Sequence, residues 1–202
     1  DLHSFPTRRS SDLVGDIFNT KNKYDIIYAD PPWEYRQSGS KKSSRGMAKQ
    51  HYNTMNVDEI KKLPICEIKT DETILFIWAT FPNINYALEV IKAWGFEYKT
   101  AAFVWLKKNK NGSNFWGMGA YTRANVEVCL IAISKNTKAK QVVKSHSVHQ
   151  VIESVIEKHS KKPDIVRNKI LELLGDDKRR IELFARQKAN GWDCWGDEAE
   201  NN

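Results

Sequence analysis

The chain lacks most of what marks a disulfide-built, membrane-spanning or metal-built protein. It has 202 residues and only three cysteines, Cys66, Cys129 and Cys194. They are odd in number, far apart and never spaced C-x-x-C, which argues against a disulfide framework or zinc site and for a reducing cytoplasm. His146 and His149 stand three apart with no third ligand near them, so no metal is expected. No apolar run approaches the ~20 residues of a membrane-spanning helix. Neither an internal repeat nor a Gly-x-Gly-x-x-Gly loop near the N-terminus is visible. Acidic residues are also in deficit. There are 25 against 32 basic ones, a formal net charge of +7, which favours a polyanionic partner such as DNA or RNA.

What is present is a core. Hydrophobic residues make up 41% of the chain, enough for one α/β domain of this length. Residues 1–13 (DLHSFPTRRSSDL) show no periodicity and lead into no apolar signal region. They resemble translated adapter sequence and are expected to be a non-native N-terminal segment, with 14–202 forming a single domain. Residues 24–29 (YDIIYA) read as a buried strand halted by Asp-Pro-Pro. Further strands are expected at 73–79, 98–106, 126–134 and 180–185. Asn56 starts a short helix. A longer one over 83–94 sets Ile84, Leu88, Ile91 and Trp94 at helical spacing before Gly95. Pro163 opens a helix through Leu174 with Ile165, Ile170 and Leu173 on its apolar side, closed by Gly175. Residues 142–156 fit strand and helix alike. Apolar strands alternating with helices imply a doubly wound α/β sheet, whose ligands sit beyond the carboxyl ends of the strands. Asp30 and the residues after Phe184 both fall there.

Asp30-Pro31-Pro32-Trp33 reads either as an ordinary strand-end turn with an aromatic plug or as a stretch that carries chemistry, and its place directly after an apolar strand favours the second. An exocyclic ring amine is a poor nucleophile because its lone pair is delocalised into the ring. Methylating it requires acceptors that hold its N–H groups and turn the lone pair outward. Asp30 can supply a carboxylate acceptor and Pro31 a carbonyl whose direction two prolines fix. Trp33, with Tyr35, offers a face for stacking an extruded base. Asp30 then orients the amine and stabilises developing positive charge.

The chain resembles the MT-A70 family of N6-adenine methyltransferases from about residue 24 to 198. The likeness is carried by ADPPW at 29–33, HYNTM at 51–55, LPI at 63–65, LFIWAT at 75–80 and AWGF at 93–96. It continues through FVWLK at 103–107, YTRANVEVCLIAISK at 121–135, HSKKPD at 159–164, IELFAR at 181–186 and GWDCWGDE at 191–198. The resemblance implies a Rossmann-like, S-adenosylmethionine-dependent methyltransferase fold. Its sheet is mixed and mostly parallel, and its motif order is permuted, the catalytic motif preceding the cofactor motif. It implies S-adenosyl-L-methionine as cofactor, bound by Asp30, Lys162, Phe184, Arg186, Asp197 and Glu198. Lys162 would meet the methionine carboxylate, Phe184 and Arg186 the methionyl and ribose part, and Asp197 and Glu198 the ribose hydroxyls. Asp16 and Ile17 would flank the adenine. Asp197 stands where the family commonly has Asn.

Two basic loops, 36–50 and 107–123, are the expected nucleic-acid surface. Lys41, Lys42, Arg45, Lys107, Lys108 and Lys110 can meet phosphates, and His51, Tyr52 and Trp116 offer stacking faces. A salt bridge from Glu127 to Arg123 and an exit of Arg186 to Asp193 are alternative readings of those residues. So is a solvated position for Lys162. The expected activity is methylation of adenine N6 in DNA. RNA is the alternative substrate, and a non-catalytic nucleic-acid-binding subunit is the rival function. A homodimer and a partner methyltransferase subunit are both open.

Overall fold

The computed structural model describes residues 16–33, 55–119, 121–135, 137–157 and 161–196. The strands are β1 (Tyr24–Ala29), β2 (Lys69–Ala79), β3 (Phe96–Lys108), β4 (Val126–Ser134), β5 (Val151–Val155), β6 (Arg180–Leu183) and β7 (Asp193–Trp195). They form one sheet in the order β5-β3-β4-β2-β1-β6-β7. β1 pairs in parallel with both β2 and β6, β6 with β7, and β3 with β5. Only β4 runs against its neighbours, β2 and β3. The sheet is thus Rossmann-like, mixed and mostly parallel. The late strand β6 lies directly beside β1, so segments far apart in sequence meet side by side in the sheet.

β1 is apolar on both faces because both are covered. Ile27 and Ala29 join a core with helices α1 (Val57–Lys61) and α3 (Ile84–Ala93), whereas Ile26 and Tyr28 join a second core with helix α5 (Ile165–Leu174). Asn56 caps α1 in a reciprocal capping box with Glu59. In α3 the buried positions are Ala87, Val90 and Ile91, so the stripe is rotated away from Leu88, which lies exposed. Trp94 just beyond α3 is buried, its indole N–H donating to the Ile60 carbonyl at 2.9 Å. In α5 the core face is Val166, Ile170 and Leu174, an i, i+4, i+8 row, and Ile165 points to solvent.

The ambiguous stretch 142–156 holds a strand, and a helix reaches only its first residue. A short helix α4 (Ala139–Val142), following α2 (Ile65–Ile68) and α3 in chain order, precedes the edge strand β5. Only Ile152 of β5 is deeply buried, which left its strand pattern faint. The last predicted strand ends two residues early, since Phe184 adopts φ 60° and turns the chain out of the ladder. The segment carrying Trp192 and Trp195 supplies a three-residue strand, β7. Among the described residues no helix is long and apolar enough to cross a membrane.

Candidate active site

Asp30 is the first residue past β1, with β2 on one side and β6 on the other. The Asp30 amide donates to the Leu183 carbonyl at 3.3 Å, and Pro31 and Pro32 then end the strand by offering no N–H groups. The Trp33 amide turns back to the Pro31 carbonyl at 2.9 Å. That bond fixes the carbonyl and leaves its second lone pair as an acceptor. Trp33 itself differs from the stacking expectation. It is only 7% exposed, sits in the core with α1 and α3, and donates from its indole N–H to the Trp78 carbonyl at 2.9 Å. A large ring with a satisfied N–H is more stable buried than open to a ligand, so Trp33 buttresses the loop.

The Asp30 carboxylate is not alone. Lys162 Nζ lies 2.9 Å from Asp30 Oδ1, 3.1 Å from Asp30 Oδ2 and 3.1 Å from Glu127 Oε2. Glu127 Oε1 in turn accepts from Lys107 Nζ at 2.5 Å. Two carboxylates and two ammonium groups therefore form a neutral, mostly buried chain. Beneath it lie aromatic rings, with Lys162 Nζ 5.7 Å from the Trp78 ring centre and Lys107 Nζ 5.1 Å from that of Trp105. Burial alone would raise the Glu127 carboxyl, but Lys162 and Lys107 outweigh it and hold it below its ordinary value. Burial alone would lower the Lys162 ammonium, yet Asp30 and Glu127 hold it above its ordinary value. The expected solvated alternative for Lys162 and the Glu127–Arg123 bridge are both replaced by this chain of charges.

A second cluster closes the far side. Arg167 of α5 grips Glu182 of β6 with two bonds, 2.6 Å from Nε and 2.9 Å from Nη2, and reaches Asp164 at 2.6 Å. Glu182 keeps the guanidinium protonated despite its burial. Asp164 also accepts from Lys161 at 2.7 Å and Gln187 at 3.1 Å. Between the clusters lies a cleft of about 320 Å³, counting the part open to solvent. Its lining is Tyr28, Asp30, Lys161, Lys162, Arg167, Glu182, Phe184, Arg186 and Gln187. The fold thus brings together Asp30, Lys162, Phe184 and Arg186, which sequence had singled out. It adds Tyr28, Arg167 and Gln187, which sequence had passed over. Tyr28 accepts from the Trp78 indole at 2.7 Å, and burial pushes its phenol well up.

Phe184 bends the chain over the cleft. Its φ of 60° is unusual for a non-glycine residue, and it is held by the Ala185 amide bonding to the Trp195 carbonyl at 3.0 Å. Its ring meets Trp195 edge-on at 5.4 Å, and Trp195 meets Phe18 at 6.1 Å. Gly196 passes so close that a Cβ there would lie 2.5 Å from the Ala185 nitrogen. Ile17 is buried in the core beside these rings, and Asp16 accepts from the Asn19 side chain at 2.6 Å. Asp193 is the acceptor of the Tyr24 hydroxyl at 2.7 Å.

The expected nucleic-acid surface is only partly as read. Lys107 is turned inward to Glu127, because it continues the alternation that buries Phe103 and Trp105. Lys108 pairs with Glu153 at 3.2 Å and Asn114 at 2.9 Å. Lys110 is exposed, and Trp116 is 65% exposed. Tyr35, Lys41, Lys42, Arg45, His51, Tyr52, Asp197 and Glu198 lie outside the described residues.

Residues 24–198 match the MT-A70 family model. The chain is 34% identical to the type II methyltransferase M.MunI of a Mycoplasma species, over 90% of this chain and 80% of that protein. It is 28% identical to the N6-methyladenosine RNA methyltransferase MTA1 of Pyricularia oryzae, over 94% of this chain and 52% of that one. With the human N(6)-adenosine-methyltransferase catalytic subunit METTL3 it shares 27% identity, over 81% of this chain and 26% of the relative. The chain spans about half or less of these two eukaryotic proteins. A match running from the first strand of the sheet to the residues beyond the last places this chain in the MT-A70 family.

Proposed function

We propose that the protein transfers a methyl group from S-adenosylmethionine to the exocyclic N6 amine of adenine in DNA, in the cytoplasm. The observation that carries this reading is the Asp30 carboxylate lining the charged cleft, followed directly by the Pro31 carbonyl that the Trp33 amide holds in a fixed direction. When bound, S-adenosylmethionine supplies the electrophilic methyl. The cleft suits such a group. It offers Lys162 and Arg186 for a carboxylate, Asp30 and Glu182 for ammonium and sulfonium charge, and the Phe184 ring for an apolar segment. Asp197 and Glu198 follow Gly196 in sequence and complete the assignment for the ribose hydroxyls.

In this reading Asp30 accepts one N–H of the amine and the free lone pair of Pro31 accepts the other. The nitrogen lone pair then turns out of the ring plane, towards the cleft. As the N–C bond forms and the methyl's bond to sulfur breaks, leaving a neutral thioether, positive charge grows on the amine. Asp30 stabilises it, and the extra proton then passes to solvent. Lys162 fixes the carboxylate without cancelling it, because Lys162 is shared with Glu127. Trp116 and Lys110, both exposed, are assigned to nucleic-acid binding, and the basic residues of 36–50 with Tyr35, His51 and Tyr52 are assigned the same role from their sequence alone. Identity to the type II methyltransferase exceeds that to the N6-methyladenosine RNA methyltransferase, which favours DNA over RNA. The test is incubation with labelled methyl donor and either DNA or RNA, followed by nucleoside mass spectrometry. N6-methylated deoxyadenosine is expected. Product in RNA alone would move the substrate to RNA, and no methylated adenine in either would overturn the activity.

A further inference from the structure

β2 and β3 both run antiparallel to β4, so β3 ends at the same edge of the sheet as β1 and Asp30. Between β3 and β4 the chain makes a long excursion there, residues 109–125. Its root is pinned. The Asn109 amide donates to the Ser113 carbonyl at 2.8 Å, the Phe115 amide to Lys107 at 3.0 Å, and the Gly117 amide to Ala124 at 2.8 Å. Two glycines shape the tip around Met118. A Cβ on Gly117 would lie 2.4 Å from the Ala124 oxygen, and one on Gly119 2.0 Å from the Thr122 oxygen.

This pinned tip holds Met118 89% exposed and Tyr121 fully exposed. Neither side chain gains burial on folding, so their apolar bulk is available for contact with a partner. The surroundings say what. From Lys107 to Val126 there is no acidic residue, and Lys110 and Arg123 are exposed cations. Arg123 Nη1 rests 3.9 Å from the Met118 sulfur, so charge and apolar surface are interleaved. That mixture fits a polyanion with stacked bases better than an apolar protein face. The root of the excursion is tied to the catalytic carboxylate through Lys107, Glu127 and Lys162 in succession.

An adenine paired within a duplex reaches Asp30 only after leaving the stack, at a cost in stacking and pairing. Apolar side chains inserted between base steps offset that cost. Resting on the DNA reading above, we propose that Met118 and Tyr121 form a wedge that enters the base stack of duplex DNA beside the extruded adenine. Lys110 and Arg123 hold the flanking phosphates. The substrate is then duplex rather than single-stranded.

The test compares labelled methyl transfer to native and heat-denatured unmethylated genomic DNA, for the wild type and for Met118→Ser/Tyr121→Ser. Denatured DNA offers bases that need little extrusion. The native-to-denatured rate ratio of the double variant is expected to fall about ten-fold or more, and Met118→Leu/Tyr121→Phe is expected to restore it. An unchanged ratio overturns the wedge, including the case where both rates fall together, as a protein-docking surface would give. A wild type active only on denatured DNA overturns the wedge and leaves the proposed function standing. A wild type active on neither overturns both.

Discussion

Glu127→Gln keeps the shape of the side chain and removes only its charge. Glu127 is 6% exposed and sits between the two lysines of the buried charge chain. In the variant Lys162 retains Asp30, whereas Lys107 is left with the Trp105 ring and an amide oxygen. Breaking a buried pair costs roughly 3–5 kcal/mol, and the surviving Lys162–Asp30 pair places this case near 3 kcal/mol. For a protein of this size that lowers Tm by roughly 6–12 °C at pH 7. The pH dependence separates charge loss from poor packing. The Glu127 pKa is lower in the folded state than its ordinary 4.5, so its contribution is present above about 4.5 and is lost as pH falls through the folded value. Lys162 is raised above 10.5, so its contribution is full below 10.5 and is lost as pH rises through the folded value. Thermal melts of both proteins from pH 3 to 11 should show the gap narrowing below pH 4.5, with the variant losing its alkaline stability earlier. A gap at pH 7 under about 2 °C, or one unchanged between pH 7 and pH 3, would refute the reasoning.

Asp30→Ala should abolish methylation, while calorimetric titration with S-adenosylmethionine still shows binding heat; wild-type turnover in that variant would remove Asp30 from the chemistry. Trp33→Phe deletes the indole donor to the Trp78 carbonyl and some core volume, and should cost about 1–3 kcal/mol in chemical denaturation. An increase in stability would show that Trp33 is strained rather than a buttress. Gly196→Ala places a Cβ against the Ala185 backbone, and should lower Tm and weaken the titration with S-adenosylmethionine together. A drop in Tm with unchanged binding would detach this crossing from the cofactor end of the cleft.

The sheet was legible because its strands are marked by composition and by hard stops. Apart from Asp25, Tyr24–Ala29 is apolar until Asp-Pro-Pro, and Val126–Ser134 matches the expected strand residue for residue. Edges were less legible. Val151–Val155 is covered on one side only, and Asp193–Trp195 is too short to carry a pattern. Helix faces were placed in part, with Ile91, Trp94 and Ile170 buried as expected and the rest of each stripe about one position out. Leu88 and Ile165 have the composition of a core stripe, but the rotation of each helix is set by its neighbours across the sheet. Arg167 was missed because its partner Glu182 lies on another element, and nothing local distinguishes it from a solvated helix arginine.

Lys107 and Lys108 show where that limit comes from. By composition they are one basic pair at the mouth of a basic loop, and both read as phosphate contacts. On a strand, neighbouring side chains face opposite ways. Phe103 and Trp105 are buried on the face that carries Trp78 and Cys129. Carrying that alternation one step further puts Lys107 on the same face, and Lys108 on the other. β3 runs to Lys108 rather than stopping at Leu106, so the alternation reaches both lysines. Lys107 therefore enters the interior and finds Glu127, while Lys108 finds Glu153 across the edge strand. The strand's length, not the identity of either lysine, decides which of them becomes part of the buried charge chain. Had the reading of 98–106 been extended by two residues, the inward lysine was available from sequence. Its acidic partner was not, because Glu127 follows an excursion whose length does not reveal where it closes.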